Sequence, residues 1–286
     1  MDSRLSEGKA QERTMDDFEN LRAPSVGLVN RLTELVARAA QAILPFDSRR
    51  VERRVKEDAS PVTAADEAAD AVIAEGLAQL LPGVPVVSEE GKRPAGALGA
   101  AFILVDPLDG TREFLARRAE YTVNLAIIVE GRPTLGIVAA PALKLLWRGG
   151  RGVSAARLAL PSGEPDAPKT IATRKRLDNF TALVSRSHLD AQSAAFLAKL
   201  SVAEQVPCGS SLKFCRIAEG AADLYPRLAP TSEWDIAAGD AVLTAAGGIV
   251  LGLDGAQLRY GNAASSFCVP GFIAWGDTGA SKLHLR

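Results

Sequence analysis

Ala101-Phe-Ile-Leu-Val105 runs straight into Asp106-Pro-Leu-Asp109-Gly-Thr111. Five apolar residues without a polar interruption mark a strand buried on both faces. Acids at the end of such a strand stand where layered α/β proteins place their sites. Pro107 stiffens the turn that follows, and Gly110 lets a ligand approach the backbone closely. Two carboxylates three residues apart on one turn can hold two hard cations together. Arg112-Glu-Phe-Leu115 reads as the first turn of a helix, whose free N–H groups suit a phosphate. An Asp-rich surface turn with a helix cap accounts for the same residues without any chemistry.

Upstream, Val84–Val87 is a short strand that leads into Ser88-Glu89-Glu90, a pair of acids that solvation alone explains but that could converge on Asp106. Further upstream, Thr63 and Asp66 have capping-box spacing at the start of a helix, and Ser232 and Asp235 repeat that spacing far downstream. Capping accounts for Asp66 and Asp235 without function, so these acids gain weight only together.

Periodicity supplies the frame. Leu28, Val29, Leu32, Leu35, Val36, Ala39, Ala40 and Ile43 recur at helical spacing and predict a helix over 26–44, stopped near Pro45. Core burial is the better reading of that face than a membrane surface. A second helix starts near Thr63 and ends at Pro82-Gly83. Tyr121–Val129 and Thr134–Ala139 read as strands joined by a hairpin turn at 130–133. Residues 148–169, rich in Gly, Pro and Ala, mark the change of domain. Beyond it strands alternate with helices: strands at 182–185, 224–227, 249–253 and 271–275, helices at 191–200, 212–219 and 234–246. The expected organisation is a disordered tail over 1–24, an α+β half over 25–155 that binds metal, and an α/β half over 156–286 that binds substrate.

Composition narrows the chemistry. A net charge of −1 and 5% aromatic residues argue against a nucleic-acid partner. Two histidines, three cysteines and no CxxC pair disfavour zinc, so a bound metal would take mostly oxygen ligands. The cysteines (Cys208, Cys215 and Cys268) read as small buried residues in a reducing compartment. With no apolar leader and no run of about 18 apolar residues, the expectation is a cytoplasmic protein, with peripheral contact at an inner membrane left open.

Taken together, the acids fall into an ordered set: Lys56-x-Asp58-x-Ser60-Pro-Val-Thr63-Ala-Ala-Asp66, Ser88-Glu89-Glu90, Asp106-Pro-Leu-Asp-Gly-Thr111-x-Glu113-Phe114 and Trp234-Asp235-x-Ala-Ala-Gly239. This set resembles the signature of the inositol monophosphatase superfamily, lithium-sensitive magnesium phosphatases. Ser185-Arg-Ser-His188, Gly209-Ser-Ser-Leu-Lys-Phe-Cys215, Ala218-Glu-Gly220 and Leu224-Tyr-Pro-Arg227-x-x-Pro230-Thr231 resemble its bacterial 3′(2′),5′-bisphosphate nucleotidase branch, the CysQ type. The likeness runs from about 27 to 275.

The resemblance implies an α/β fold, a layered αβαβα sandwich with the site between its halves. It implies that Glu89, Asp106 and the Leu108 carbonyl hold one magnesium, that Asp106, Asp109 and Asp235 hold a second, and that Glu89 helps hold a weaker third. Asp66, Thr111 and Glu89 form the implied catalytic set, with the Asp66–Thr111 pair deprotonating the attacking water. Gly110 and Thr111 would offer N–H groups to the scissile phosphate. His188, Ser210, Lys213 and Arg227 would bind the phosphate that is not cleaved, His188 standing equally well beside a base. The implied reaction is hydrolysis of adenosine 3′,5′-bisphosphate to AMP and phosphate, in sulfur assimilation. Inositol monophosphatase or fructose-1,6-bisphosphatase activity is the alternative, and a non-catalytic nucleotide- or metal-sensing module is the alternative of another class. The oligomeric state stays open.

Overall fold

The computed structural model describes residues 18–47, 53–55, 61–91, 98–160, 167–176, 178–186 and 189–284. Two helices, α1 (Val26–Asp47) and α2 (Ala64–Leu80), form the first layer. Between them lies the short hairpin β1 (Arg53–Val55) and β2 (Pro61–Thr63). All eight apolar residues of the predicted α1 stripe are buried, so that face belongs to the core and offers nothing to a membrane. The helix runs through Pro45 rather than stopping there; in a last turn proline forfeits one hydrogen bond instead of breaking the helix. No described helix is long and apolar enough to cross a membrane.

The second layer is a seven-stranded sheet in sequential order: β3 (Val86–Ser88), β4 (Ala101–Asp109), β5 (Thr122–Val129), β6 (Arg132–Ala140), β7 (Leu145–Gly150), β8 (Val153–Ala159) and β9 (Lys169–Thr170). A short helix, α3 (Thr111–Leu115), follows β4. Only β3 and β4 pair in parallel. Alternate side chains serve opposite cores. Ile103, Val105, Val123, Leu125 and Ile127 face α1 and α2. Phe102, Leu104, Ala126 and Ile128 face the other way, toward the rest of the chain.

That other side holds the third layer, α5 (Leu212–Ala218) and α6 (Glu233–Ala245), which packs against both sheets. The fourth layer is a five-stranded sheet ordered β11-β10-β12-β16-β14. Its strands are β10 (Phe180–Ser185), β11 (Val202–Cys208), β12 (Leu224–Arg227), β14 (Ile249–Gly252) and β16 (Phe272–Trp275); β13 (Thr231–Ser232) and β15 (Cys268–Val269) pair separately. On the far face lie α4 (Ala191–Leu197) and α7 (Thr278–His284), with Leu197 and Ala280 in a third apolar cluster around Trp275. The five layers are the αβαβα sandwich expected.

Four expectations shift. Residues 18–22 form a helical turn with Leu21 buried, and the Thr134 hydroxyl donates to the Leu21 carbonyl at 2.7 Å, so the tail does not extend to 24. Strands β7, β8 and β9 carry the first sheet to Thr170, past the expected boundary at 155. Gly149-Gly150 read as punctuation there, yet the strands pair through them. Strand β11 was not expected; it is an exposed edge strand, where Pro207 and polar residues are tolerated. Cys208 and Cys215 are buried as expected, but Cys268 is exposed on β15.

Candidate active site

The decisive local event is a bulge in β4. The strand does not end at Val105; it continues to Asp109, with a register shift between Asp106 and Asp109. Asp106 pairs with Asn124 and Asp109 with Thr122, so three steps on β4 oppose two on β5. In a regular strand residues three apart point to opposite faces. The extra residue inverts that parity, as bulges beside sites do. Both aspartates therefore face the middle layer, while Val105 and Leu108 both join the core under α1 and α2. The aspartates were expected on a turn; a bulged strand achieves the same convergence with a stiffer backbone.

Gly110 closes the bulge at φ +91°, a conformation that would strain any other residue. Thr111 follows, its hydroxyl 3.2 Å from the Leu108 carbonyl and 3.4 Å from Asp66 Oδ1. Asp66 serves two purposes at once. Its Oδ2 accepts the Thr63 backbone N–H at 2.9 Å and the Thr63 hydroxyl at 2.6 Å, completing the capping box of α2. Its Oδ1 is left for Thr111.

The other side of the site comes from the second half. Asp235 sits in the first turn of α6, where its Oδ2 accepts the Ser232 N–H at 3.3 Å and the Thr231 hydroxyl. The Ser211 N–H donates to Asp109 Oδ2 at 2.6 Å. Glu89, Asp106, Leu108, Asp109, Gly110, Thr111, Ser210, Lys213, Arg227 and Asp235 thus share one cleft of about 300 Å³. Among the sequence-predicted residues, Asp66 touches the cleft through Thr111. His188 lies outside the described residues.

The electrostatics are lopsided. Burial pushes Asp106 well above the ordinary carboxylate range, and Glu89, Asp109, Asp235 and Asp66 push it further. Burial, then Asp235, raises Asp109 to about 7, although Lys213 and Arg227 pull it down. Burial raises Asp235 and Asp66 as well. Acids brought this close repel one another. Among the described residues no three acid, cysteine or histidine side chains already close on one point, so the carboxylates ring the cleft without forming a cage. All-oxygen donors of this kind, mutually repelling and buried, suit a hard divalent cation.

Across the cleft the charge reverses. Lys213 is 3% exposed and donates to the Ser210 carbonyl at 2.7 Å and the Cys208 carbonyl at 3.2 Å, with the Tyr225 ring 4.7 Å away. Much of its hydrogen-bonding capacity is spent on its own loop. Arg227 differs: one Nη donates to the Pro230 carbonyl at 3.3 Å, and its buried Nε has no partner. Ser210 holds the left-handed region at φ +47°, with its Oγ 3.4 Å from the Leu212 N–H.

Several contributors lie outside the predicted site set: Thr122 and Asn124, and also Ser211, Tyr225 and Thr231, which sit within the stretches that carry the resemblance. The Ser211 hydroxyl meets Thr122 at 2.8 Å and donates to Asn124 Oδ1 at 2.6 Å. Their signal lay in β5 itself, where Thr122 and Asn124 are the only polar residues, two apart, in a strand buried at every position.

Fold and cleft together define a layered α/β protein with acids on one wall of a cleft and buried basic groups on the other. The chain matches the model of the inositol monophosphatase family over residues 17–274 and belongs to that family. It is 42% identical over 250 residues to the 3′(2′),5′-bisphosphate nucleotidase CysQ of Salmonella typhimurium, covering 86% of this chain and 98% of that one. The protein of the same name from Escherichia coli is also 42% identical, with the same coverage. A crystal structure of CysQ from Bacteroides thetaiotaomicron superposes with a TM-score of 0.74 at 32% identity, covering 86% of this chain and 97% of that one. The inositol monophosphatase of an Anabaena species, at 22% identity and a TM-score of 0.72, covers 88% and 92% and shares the fold.

Proposed function

We propose that this protein is a magnesium-dependent 3′(2′),5′-bisphosphate nucleotidase that hydrolyses adenosine 3′,5′-bisphosphate to AMP and phosphate. The observation that carries the reading is Asp106, buried at 1% exposure and pressed by the charges of Glu89, Asp109, Asp235 and Asp66. The names of the relatives support the choice of substrate.

Glu89, Asp106, the Leu108 carbonyl, Asp109 and Asp235 would hold two magnesium ions, with Glu89 contributing to a third. Bound there, the ions supply charge neutralisation between phosphate and water and make that water more acidic. The chain's own groups do the rest. Asp66, through the Thr111 hydroxyl at 3.4 Å, takes the proton of the attacking water. The Gly110 and Thr111 N–H groups orient the scissile phosphate. Arg227 turns its guanidinium, whose Nε is unpartnered, to the second phosphate, and Ser210 adds a hydroxyl. Lys213 supplies charge and fixes the loop. Serine and cysteine nucleophiles are not needed, since water attacks phosphorus directly. The substrate is what remains when a sulfuryl group leaves 3′-phosphoadenylyl sulfate, which sets the enzyme in sulfur assimilation.

Phosphate release from adenosine 3′,5′-bisphosphate, inositol 1-phosphate and fructose 1,6-bisphosphate, with magnesium and then with chelator, tests this. The expected result is a preference for the nucleotide that chelator abolishes. Preference for inositol phosphate would discard the roles given to Ser210, Lys213, Arg227 and His188. Silence on every substrate would leave a sensing module.

A further inference from the structure

The two loops assigned above to the two phosphates rest on one residue. Glu120 lies at the entry to β5, and its backbone carbonyl is wedged between them. A Cβ added at Gly110 would meet that carbonyl at 3.2 Å, and one added at Gly209 would meet it at 2.6 Å. The same Gly110 position would stand 3.3 Å from the Ser210 Cβ, so the loops also touch each other. The Glu120 side chain then fastens the second loop. Its carboxylate accepts the Gly209 N–H at 3.0 Å and both arms of Arg186 at 2.6 and 2.7 Å, and Arg186 donates again to the Pro207 carbonyl at 2.7 Å. Partial burial alone would raise the Glu120 pKa; the Arg186 hydrogen bonds and charge, with the Gly209 N–H, bring it below the ordinary value. The carboxylate therefore stays charged and the clamp stays closed at neutral pH. This also accounts for Arg186 in the Ser185–His188 stretch, which the substrate reading leaves without a task.

We propose that Glu120 is a specificity-determining positioning residue: clamped by Arg186, it fixes the distance between the Gly110 and Gly209 loops so that a nucleoside carrying two phosphates is favoured over one carrying a single phosphate. A ligand with two anionic ends gains from both loops only if their separation is held in advance; a loose second loop must be ordered by the ligand, at a cost in affinity. A ligand with one phosphate uses the Gly110 loop alone and is indifferent to the second. The inference rests on the bisphosphate reading above.

The test compares adenosine 3′,5′-bisphosphate with adenosine 3′-monophosphate in the wild type, Glu120→Gln and Glu120→Ala. Glutamine keeps an acceptor for Gly209 and loses the charge pair; alanine loses both. The ratio of kcat/KM, bisphosphate over monophosphate, is expected to fall about tenfold in the glutamine variant and further in alanine, carried by KM. Turnover of the monophosphate should stay within about twofold, which also shows that the variants are folded. A purely structural Glu120 would lower the melting temperature and both substrates in parallel, and that result overturns the inference. A wild-type preference that both variants retain also overturns it while sparing the substrate reading. A wild type indifferent to the second phosphate removes the substrate reading, and this inference with it.

Discussion

The two walls of the cleft are built by different means. Most of the acidic wall stands on secondary structure: Asp106 and Asp109 on a bulged strand, Asp66 and Asp235 in the first turns of helices they also cap, with Glu89 in the bend just after β3. The basic wall stands on the Gly209–Ser211 loop, on α5 and on the end of β12. The acids are held by backbone geometry that the fold cannot easily change. On the basic side Lys213 and Arg227 stand on α5 and β12, and the Gly209–Ser211 loop beside them is fastened by Lys213 and by Glu120 with Arg186. On the proposed reading, chemistry belongs to the first wall and the choice of substrate to the second. The solved relatives share the fold at identities from 19% to 32%.

The largest blow to the comparison is Asp106→Asn. The variant removes the carboxylate that all the others crowd, so turnover of every substrate should fall on the order of 10⁴-fold or more. Calorimetry should show divalent-cation binding weakened, while the circular dichroism spectrum stays native. Near-normal turnover would mean the acidic wall is not the chemical one. The matching cut on the opposite wall is Arg227→Ala. Losing a buried cation that faces an anion costs about 2–5 kcal/mol. The expected loss for adenosine 3′,5′-bisphosphate is on the order of 10³-fold in kcat/KM, with inositol 1-phosphate changed by less than about fivefold. Equal losses would show that both walls serve the chemistry and would dissolve the distinction.

The same contrast decides what could be read from sequence. The acidic wall is legible because strand ends and capping boxes are short, contiguous patterns: Asp106-Pro-Leu-Asp109-Gly-Thr111 is one stretch, and Thr63/Asp66 and Ser232/Asp235 are pairs three apart. What sequence could not show is that the stretch is a bulge, because parity inversion appears only when β5 lies alongside. The basic wall was located by resemblance alone. Lys213 and Arg227 are ordinary residues until α5 and β12 bring them together, and Lys213 turns out to bind its own loop first. Thr231 completes the setting of Asp235, yet nothing local to it announces that. The strands at 145–159 and 202–208 were missed for a related reason. Glycine, proline and polar residues in them are tolerated by neighbours and by an edge position, which periodicity does not record.

A third acid isolates what the cleft does to its carboxylates. Asp240 sits on α6, the same helix as Asp235, and is buried at 7% exposure, but it lies outside the cleft. Its Oδ2 accepts the Tyr260 hydroxyl at 2.8 Å and its Oδ1 the Thr244 hydroxyl at 3.0 Å, with the charge of Arg132 in range. Burial still wins and raises its pKa to about 6, with no neighbouring acid contributing. In the folded state Asp240 therefore holds its proton from about pH 4 to pH 6, where the unfolded chain has released it. The folded state binds more protons across that window, so its stability falls as the pH rises through it. A shift of about two units corresponds to about 3 kcal/mol at most. Asp240→Asn cannot ionise, so urea titrations of the variant should lack this fall. The difference in unfolding free energy between variant and wild type should move toward the variant by up to about 3 kcal/mol between pH 4 and pH 7, with both curves parallel above pH 7. A difference that stays flat across the window would mean that the hydroxyls of Tyr260 and Thr244 fully offset burial.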